Sequence, residues 1–243
     1  MIARYDGLDA ESLRERTGAT AIVLLESVGS VLDVAHERAA AGAAAGLLVL
    51  ADRQTAGRGR QGRSWQSPAG AGIYLAALLR PRVRPFSGAI AVRVGLALVA
   101  AVEEAAPGAS PWLKWPNDLI VASRKAGGVL CEARWSGASQ GWIAVGIGVN
   151  VRGPLAPDVA GTAIALGEVS PALTRVALLE ALAPRLWPLA DRPSALSEDE
   201  REAFRRRQWV VPGSVEEPVG VDGDGALLVR APDGSLDRRV MPV

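Results

Sequence analysis

The stretch GRGRQGRSW at residues 57–65 is the most informative part of this sequence, because it places three glycines and three arginines ahead of a tryptophan. Glycine lets the backbone approach an anion closely, and arginine offers a planar fork of donors that pairs with phosphate or carboxylate. No Lys-Ser or Lys-Thr follows, so the stretch is not a Walker loop. It predicts an anion-binding loop for a nucleotide or an acid.

The surroundings of this stretch indicate a folded domain. Apolar runs at residues 47–51 and 72–79 lie on either side of it and are typical of buried strands. A tract rich in arginine and glycine can also be a disordered tail that binds nucleic acid. Because the stretch interrupts an apolar core, the loop interpretation is favoured over the tail.

Composition limits the classes of protein to consider. The chain has 243 residues, of which 49% are apolar, enough for one domain with a substantial core and a small appendage. A formal net charge of +1 gives no general attraction to nucleic acid or to an anionic membrane, so the loop arginines are a local concentration of charge. The single cysteine, Cys131, excludes an internal disulfide and a cysteine-cluster zinc site. The single histidine, His36, argues against hydrolase triads and histidine-based metal sites.

Targeting signals are not evident in the sequence. Residues 1–8 lack the apolar segment of a secretory signal. The most apolar segment, residues 89–106, contains Arg93, Glu103 and Glu104 and falls short of a membrane span. We therefore expect a cytoplasmic protein without a membrane partner.

The order of apolar and turn-forming segments predicts an α+β fold. Helices are expected at residues 9–16, with Asp9 as N-cap, from 29–30 to about 45, and at 85–106. Strands are expected at 21–26, 47–52, 72–79, 112–115, 119–122, 128–135 and 141–151, with turns at 116–118, 123–125 and 136–139. The last four strands form a meander, so a mixed, mainly antiparallel sheet covered by helices fits better than a doubly wound fold.

The pattern changes after residue 208. Two helices, at about 171–189 and 197–208, complete the predicted catalytic domain of residues 1–208. Residues 209–243 then show short strands at 219–221, 226–230 and 238–241 with Asp-Gly turns, typical of a small β-barrel-like module. So short a segment does not hold a core alone, and we expect it to pack on the main domain.

Two further stretches carry lysines beside turns or glycines. KWPND at residues 114–118 places Lys114 before a Pro-Asn-Asp turn, and RKAGGVLCE at residues 124–132 places Lys125 before two glycines. Two lysines at the ends of adjacent strands can converge on one anion. An ordinary turn and a solvated edge-strand lysine are the alternative interpretation of the first stretch.

In this order and spacing, GRGRQGRSW, KWPND and the RKxGGxL stretch resemble the catalytic domain of biotin protein ligases, whose fold is related to class II aminoacyl-tRNA synthetases. The resemblance covers about residues 20–189 and, more loosely, the C-terminal module. It is to the monofunctional type, because few residues precede Thr20 for a DNA-binding domain.

The resemblance implies that biotin and ATP, with Mg²⁺, give biotinyl-5'-AMP, and that biotin then passes to a lysine of a biotin carboxyl carrier domain of an acyl-CoA carboxylase. No DNA partner is expected, and the chain is expected to be a monomer or a weak homodimer. By the same resemblance, biotin is bound by Ser30, Gln54, Arg58, Gly59, Arg60 and Lys125. The nucleotide is bound by Gly57, Arg58, Arg60, Arg63, Trp65, Lys114, Asn117 and Asn150. Catalytic roles fall to Lys125, Arg60 and Lys114, and Asp118 is the expected magnesium ligand.

The sequence departs from the family pattern at residues 29–33, where the family usually has Ser-Thr-Asn. Ser30 is retained as a biotin contact or as a helix N-cap, while Val31 and Leu32 replace polar residues. This departure and the short C-terminal module leave open a non-catalytic protein that binds biotin or a nucleotide. A lipoate-attaching enzyme shares the fold but is not expected to carry both GRGRQGRSW and KWPND. An RNA-binding protein is disfavoured because the arginines lie in one loop.

Overall fold

Strands with buried apolar residues build a seven-stranded sheet at the centre of the chain. The structure is a computed structural model that describes residues 2, 4–83, 87–135, 141–214, 216–231 and 233–241. In chain order the strands are β1 (Ala21–Val28), β2 (Leu47–Gln54), β3 (Gly72–Leu79), β4 (Trp112–Lys114), β5 (Asp118–Val121), β6 (Arg124–Arg134) and β7 (Trp142–Asn150). Their order across the sheet is β1-β2-β3-β7-β6-β5-β4. Among the described strands, β1 and β2 pair in parallel and the other neighbours pair antiparallel, which confirms the predicted sheet.

Five helices accompany the sheet in the described ranges: α1 (Ala10–Thr17), α2 (Val31–Ala40), α3 (Ser87–Ala105), α4 (Arg175–Leu186) and α5 (Glu198–Arg207). Side-chain caps begin most of them. Asp9 accepts a hydrogen bond from Ser12 N at 2.9 Å, as predicted, and Ser197 forms a capping box with Glu200. Within these ranges no helix combines the length and the apolar character of a membrane span.

The two faces of the sheet are covered differently, and this difference creates the site. On one face α2 contacts β2, β3 and β7 through an apolar cluster that includes Val31, Leu32 and Ala35. On the other face the main apolar core joins the sheet to α3 and α4. Helix α2 reaches β6 at Glu132, through His36, whereas the stretches of β5 and β6 around Asp118 and Lys125 stay uncovered on this face and line a pocket.

Three predicted boundaries were wrong. Helix α2 ends at Ala40, not near residue 45, because Gly42 takes φ +90° and Arg80 binds the carbonyls of Ala39 and Ala43. Strand β6 begins at Arg124 rather than residue 128, because the turn is made by Ala122 and Ser123, both at positive φ.

Helix α4 is the third of these. It begins at Arg175 rather than residue 171, where Thr174 Oγ1 accepts from Ala177 N at 3.0 Å. It ends at Leu186, and a short 3-10 helix, Trp187–Asp191, covers the rest of the predicted range. The predicted helix start at Pro85 and the predicted turn at 136–139 lie outside the described residues.

The C-terminal segment forms a three-stranded antiparallel sheet in the described residues, from β8 (Glu217–Val221), β9 (Leu227–Arg230) and β10 (Leu236–Arg239). It packs on the main domain as expected. Gly225, at φ +82°, lies so close to Gly88 that a Cβ atom there would be 2.2 Å from the Gly88 carbonyl carbon. Trp115 Nε1 also donates to Gly225 O at 2.9 Å, so the segment touches the KWPND turn directly.

Candidate functional site

A pocket of about 350 Å³ lies on the uncovered part of the sheet face, beneath the arginine-rich loop. It is bordered by the start of α2, the KWPND turn and the facing ends of β6 and β7. The predicted site residues that line it are Ser30, Gln54, Arg58, Gly59, Arg60, Arg63, Trp65, Lys114, Asn117, Asp118 and Lys125. Three sequence motifs that lie far apart in the chain therefore meet in one cavity.

Backbone hydrogen bonds hold the arginine-rich loop, residues 57–65, in a closed shape. Gly59 N donates to Arg63 O at 2.7 Å, and Trp65 N donates to Gly57 O at 2.8 Å. A Cβ atom on Gly57 would lie 2.4 Å from Trp65 O, so only glycine fits there. Gly57 is not among the pocket-lining residues. Its contribution is to the shape of the loop.

A β-bulge aims Lys125 into the pocket. Leu119 pairs with Gly127 and Ile120 pairs with Lys125, so Ala126 is the extra residue on β6. If Ala126 were paired regularly, without a bulge, strict alternation would place Lys125, three residues before Gly128, on the opposite face from Asp118. With the bulge, Lys125 Nζ lies 2.6 Å from Asp118 Oδ1 and 5.5 Å from the centre of the Trp65 ring. Backbone hydrogen bonds to Thr162 and Ile164 hold Lys125 in register.

The only lysines in the sequence, Lys114 and Lys125, both line this pocket. The prediction that they lie on adjacent strands was wrong, because β5 runs between β4 and β6. The expected convergence is nevertheless found, because Lys114 pairs with Asp118 on β5 and Asp118 contacts Lys125. Elsewhere the chain uses arginine, so two compact ammonium groups face one site.

Two glycines on β7 make room for pocket side chains. A Cβ atom on Gly148 would lie 2.5 Å from the Trp65 indole, and one on Gly146 would lie 3.0 Å from the Leu32 side chain. These glycines thus admit an indole and an isobutyl group. Trp65 Nε1 is buried and has no hydrogen-bond partner within the described part of the chain. This edge of the indole packs against Gly148 of β7.

Two of the three arginines of the loop, Arg58 and Arg60, have different electrostatic surroundings. Arg58 Nη1 lies 2.6 Å from Asp33 Oδ1, and Arg58 Nη2 lies 3.3 Å from Glu132 Oε2. Burial opposes the charge of Arg58, but these carboxylates together raise its pKa. Burial lowers the pKa of Arg60, and the charge of Asp118 offsets part of that effect. Arg60 is thus the more desolvated cation of the two.

The polar groups at the start of α2 mainly form hydrogen bonds with other protein groups. Ser30 Oγ accepts from Leu32 N at 3.3 Å, so the N-cap interpretation is confirmed, and Ser30 also lines the pocket. Gln54 Oε1 accepts from Val31 N at 3.0 Å, while its Nε2 donates to Ser67 Oγ at 2.9 Å. Val31 and Leu32 are both 3% exposed and give the pocket an apolar floor.

The two predicted asparagines lie in different places. Asn117 Nδ2 donates to Val129 O at 2.6 Å, which ties the KWPND turn to β6. Asn150 does not line the main pocket and instead borders a second cavity of about 240 Å³. Trp65 and Lys125 line both cavities, so the indole lies at the boundary between them.

Several site residues were missed by sequence reasoning. The second cavity is largely built by residues 155–163, a loop without periodicity that no motif marks. Gln66 Nε2 ties this loop to the segment after Trp65 by donating to Asp158 Oδ2 at 2.9 Å. Asp33 and Glu132, the partners of Arg58, were also missed. Glu132 lies at the end of the quoted lysine stretch, so strand alternation was the one available signal.

A magnesium site was predicted at Asp118. No group of three or more histidine, cysteine, aspartate or glutamate side chains that could hold a metal ion occurs in the residues that the structure describes. Asp118 is one half-buried carboxylate that already contacts Lys125. A single carboxylate suits an ion that is held mainly by phosphate oxygens and water, and does not suit a metal site built by protein alone.

Comparison with known proteins places the chain in a family. Residues 29–150 match the Biotin/lipoate A/B protein ligase family. The chain belongs to this family. The Biotin--[acetyl-CoA-carboxylase] ligase of Paracoccus denitrificans is 33% identical over an alignment that covers 100% of this chain and 97% of that protein. The protein of the same description from Mycobacterium tuberculosis is also 33% identical, with 88% and 84% covered.

Other relatives match over a shorter region. The Bifunctional ligase/repressor BirA of Bacillus spizizenii is 39% identical over 132 residues, which are 54% of this chain and 40% of that protein. The alignment therefore spans well under half the length of this relative.

Solved structures of biotin protein ligases share the fold. The Aquifex aeolicus enzyme in complex with biotin and ATP superimposes with a TM-score of 0.73 at 25% identity, covering 90% of this chain and 95% of that one. The Leishmania major enzyme in complex with biotinyl-5-AMP gives a TM-score of 0.61 at 26% identity, covering 90% and 98%. The α+β fold with a mainly antiparallel sheet is thus confirmed.

Proposed function

We propose that this protein activates biotin with ATP to biotinyl-5'-AMP and transfers biotin to a lysine of a biotin carboxyl carrier domain of an acyl-CoA carboxylase. The observation that carries the proposal is the convergence of Arg60, Lys114 and Lys125 on one pocket with an apolar floor. Biotin combines an apolar chain and thioether ring with a polar ureido group and a carboxylate, so a pocket with an apolar floor beside cations suits it. Family membership and the near full-length similarity to two enzymes of this description support the same activity.

In the first step, a carboxylate oxygen of biotin attacks the α-phosphorus of ATP, and the bond to pyrophosphate breaks. Both reactants are anions, so donors must be in place before they meet. Preorganised donors of this kind are each worth roughly 2–4 kcal/mol in a closed site. We assign this role to Lys125 and Arg60, with Lys114 nearby and Arg58 and Arg63 at the loop.

We assign the nucleotide base to the second cavity. Trp65 separates the two cavities and offers its ring face, and Asn150 offers an amide on the far side. Stacking against an indole suits a purine ring. Asn117 acts by holding the turn that carries Asp118.

Magnesium is expected to arrive with the triphosphate. Asp118 is the carboxylate that contributes a ligand, while phosphate oxygens and water supply the others. The ion would supply neutralisation of phosphate charge. Asp118 would hold it in place of its contact with Lys125, and the Lys125 ammonium would then be available to the reactants.

In the second step, a neutral lysine amine of the carrier attacks the acyl carbon and AMP leaves. The amine must lose its proton, so transfer is expected to slow as the pH falls below the lysine pKa. We place the reaction in the cytoplasm, with a monomer or weak homodimer as the active form.

The family name covers both biotin and lipoate, so the first test is which of the two this protein activates. Purified protein is incubated with Mg-ATP and either biotin or lipoate, and pyrophosphate release and the acyl-adenylate mass are measured. We expect biotinyl-5'-AMP and little lipoyl-AMP, because both anion loops expected of a biotin ligase line the pocket. Adenylate from lipoate alone would contradict the proposal.

A substitution on β7 tests the placement of the base. In Gly148→Ala the new methyl group lies 2.5 Å from the Trp65 indole, so the ring must move. Overpacking costs roughly 1–3 kcal/mol, so we expect the KM for ATP to rise by about 5- to 150-fold. The KM for biotin is expected to change less.

The control for this substitution is Gly161→Ala. Gly161 lies in the loop of residues 155–163 beside the second cavity, and a Cβ atom there would meet nothing within 4 Å. This variant is expected to behave like the parent. An unchanged KM for ATP in Gly148→Ala would show that Trp65 does not form part of the nucleotide site.

A further inference from the structure

A chain of hydrogen-bonded side chains connects the core to the arginine-rich loop. Trp142 Nε1 donates to His36 Nδ1 at 2.9 Å. His36 Nε2 lies 2.9 Å from Glu132 Oε2, and Glu132 Oε2 also accepts from Arg58 Nη2 at 3.3 Å. The chain ends on an arginine that lines the pocket, whereas His36 itself does not reach it.

The proton on His36 is assigned by its neighbours. An indole nitrogen donates and does not accept, so His36 Nδ1 is the acceptor and the ring proton lies on Nε2. His36 therefore donates to Glu132. The ring is 4% exposed and both of its nitrogens are engaged, so it has one orientation in which both hydrogen bonds form.

The inner end of the chain is also fixed. The Arg80 guanidinium lies 5.7 Å from the centre of the Trp142 ring. Arg80 is itself held by the carbonyls of Ala39 and Ala43 at the end of α2. The series of contacts from Arg80 to Arg58 is thus held by backbone carbonyls at one end and ends in the arginine-rich loop at the other.

We propose that His36 is a positioning residue, which acts through Glu132 to hold Arg58 and the arginine-rich loop over the pocket. The second carboxylate on Arg58, Asp33, has a side chain that is 61% exposed, and an exposed pair holds weakly. Glu132 is 31% exposed and is oriented from behind by a buried donor. The kinetic part of this proposal rests on the proposed function, whereas the part about the loop does not.

Two substitutions at His36 separate the two hydrogen bonds. In His36→Asn the side-chain oxygen can replace Nδ1 toward Trp142, but the amide is too short to reach Glu132. In His36→Gln the amide nitrogen takes the place of Nε2 and keeps the donor to Glu132. A core-packing role affects both variants, whereas the positioning role affects mainly His36→Asn.

The first readout is tryptic cleavage after Arg58, Arg60 and Arg63 in the ligand-free protein. A hydrogen bond to a charged group is worth a factor of about ten or more, so we expect cleavage about tenfold faster in His36→Asn and close to the parent in His36→Gln. Glu132→Gln is expected to match His36→Asn. The control is Glu104→Gln, which removes the carboxylate of the surface pair with Arg185 and is expected to leave cleavage unchanged.

Glu132→Gln also keeps the test valid if His36→Asn is poorly folded, because it leaves the buried ring in place. Circular dichroism and the thermal midpoint report folding for each variant. Equal cleavage rates in His36→Asn and His36→Gln, or a parental rate in Glu132→Gln, would overturn the proposal.

The second readout is the kinetics of adenylate formation. We expect the KM for biotin to rise about tenfold in His36→Asn with little change in kcat, because the loop must be ordered when the ligand binds. In an Arg58→Ala background, His36→Asn is expected to add no further increase. A further increase there would show that His36 acts by another route. If the parent makes no adenylate, the proposed function fails, and the cleavage result still decides the role of His36.

Discussion

Replacing Lys125 with methionine is expected to lower kcat/KM for biotinyl-adenylate formation by about 100- to 1000-fold, because one preorganised donor at a developing charge contributes that much. Methionine keeps the length and apolar stem of the side chain and removes the ammonium. The ammonium is held 2.6 Å from Asp118 and faces the Trp65 ring, so its position is fixed before any ligand binds. Pyrophosphate release at varied biotin concentration measures the effect.

Two further variants show whether the loss is specific to the ammonium at this position. Arg134→Met removes a cation from the exposed far end of the same strand, outside the pocket, and is expected to stay within about twofold of the parent. Lys125→Arg keeps the charge but not the compact shape, and an intermediate loss is expected. A Lys125→Met enzyme within about threefold of the parent would contradict the assigned role, since surface charges alone account for such a change.

Replacing Arg175 with methionine is expected to destabilise the protein by about 3–5 kcal/mol, because it removes a buried guanidinium and leaves two partly buried carboxylates without their partner. Arg175 is 4% exposed. It donates to both carboxylate oxygens of Asp6, contacts Asp52 Oδ1 at 2.7 Å and lies 4.3 Å from the centre of the Tyr5 ring. Asp52 also accepts from Gly70 N, so the cluster joins the N-terminal segment, β2 and the loop before β3.

The pH dependence of this variant has a defined sign. The hydrogen bond from Arg175 lowers the pKa of Asp6 below its ordinary value of 3.8. A lowered carboxyl pKa stabilises the folded state above the unfolded pKa, and that stabilisation disappears as the pH falls through the folded pKa. The difference in unfolding free energy between parent and variant is therefore expected to be largest near neutral pH and to shrink below about pH 4.

Urea unfolding monitored by circular dichroism at several pH values measures this effect. The control is Arg185→Met on the same helix, whose surface pair with Glu104 is expected to contribute less than about 1 kcal/mol. A loss below about 1 kcal/mol for Arg175→Met at neutral pH would show that the buried cluster is not a stabilising unit.

Much of the fold follows from local patterns in the sequence. Alternation and turn residues located the meander from β4 to β7, and Asp9 and Ser197 marked helix starts because capping is a local interaction. Boundaries were wrong where a distant residue decides them. Arg80, which follows β3, helps to end α2 by donating to the carbonyl of Ala39, and nothing in the sequence of residues 40–45 indicates that contact.

The candidate site could be predicted from the sequence only where its residues lie in recognisable motifs. The cations were found, but the bulge at Ala126 that aims Lys125 arises from pairing between strands, which one strand's sequence does not specify. The partners of Arg58 and Arg175 are 74 and 169 residues away in the chain at Glu132 and Asp6. Such pairs depend on how distant elements pack in three dimensions.

The most direct test of the account is the transfer of biotin to a purified carrier domain, measured by intact-protein mass with biotin, ATP and Mg²⁺. The account predicts one biotin per carrier on a single lysine, no labelling without ATP, and strongly reduced labelling with Lys125→Met. Carrier domains that remain unlabelled by the folded parent protein, in the presence of both substrates, would contradict it.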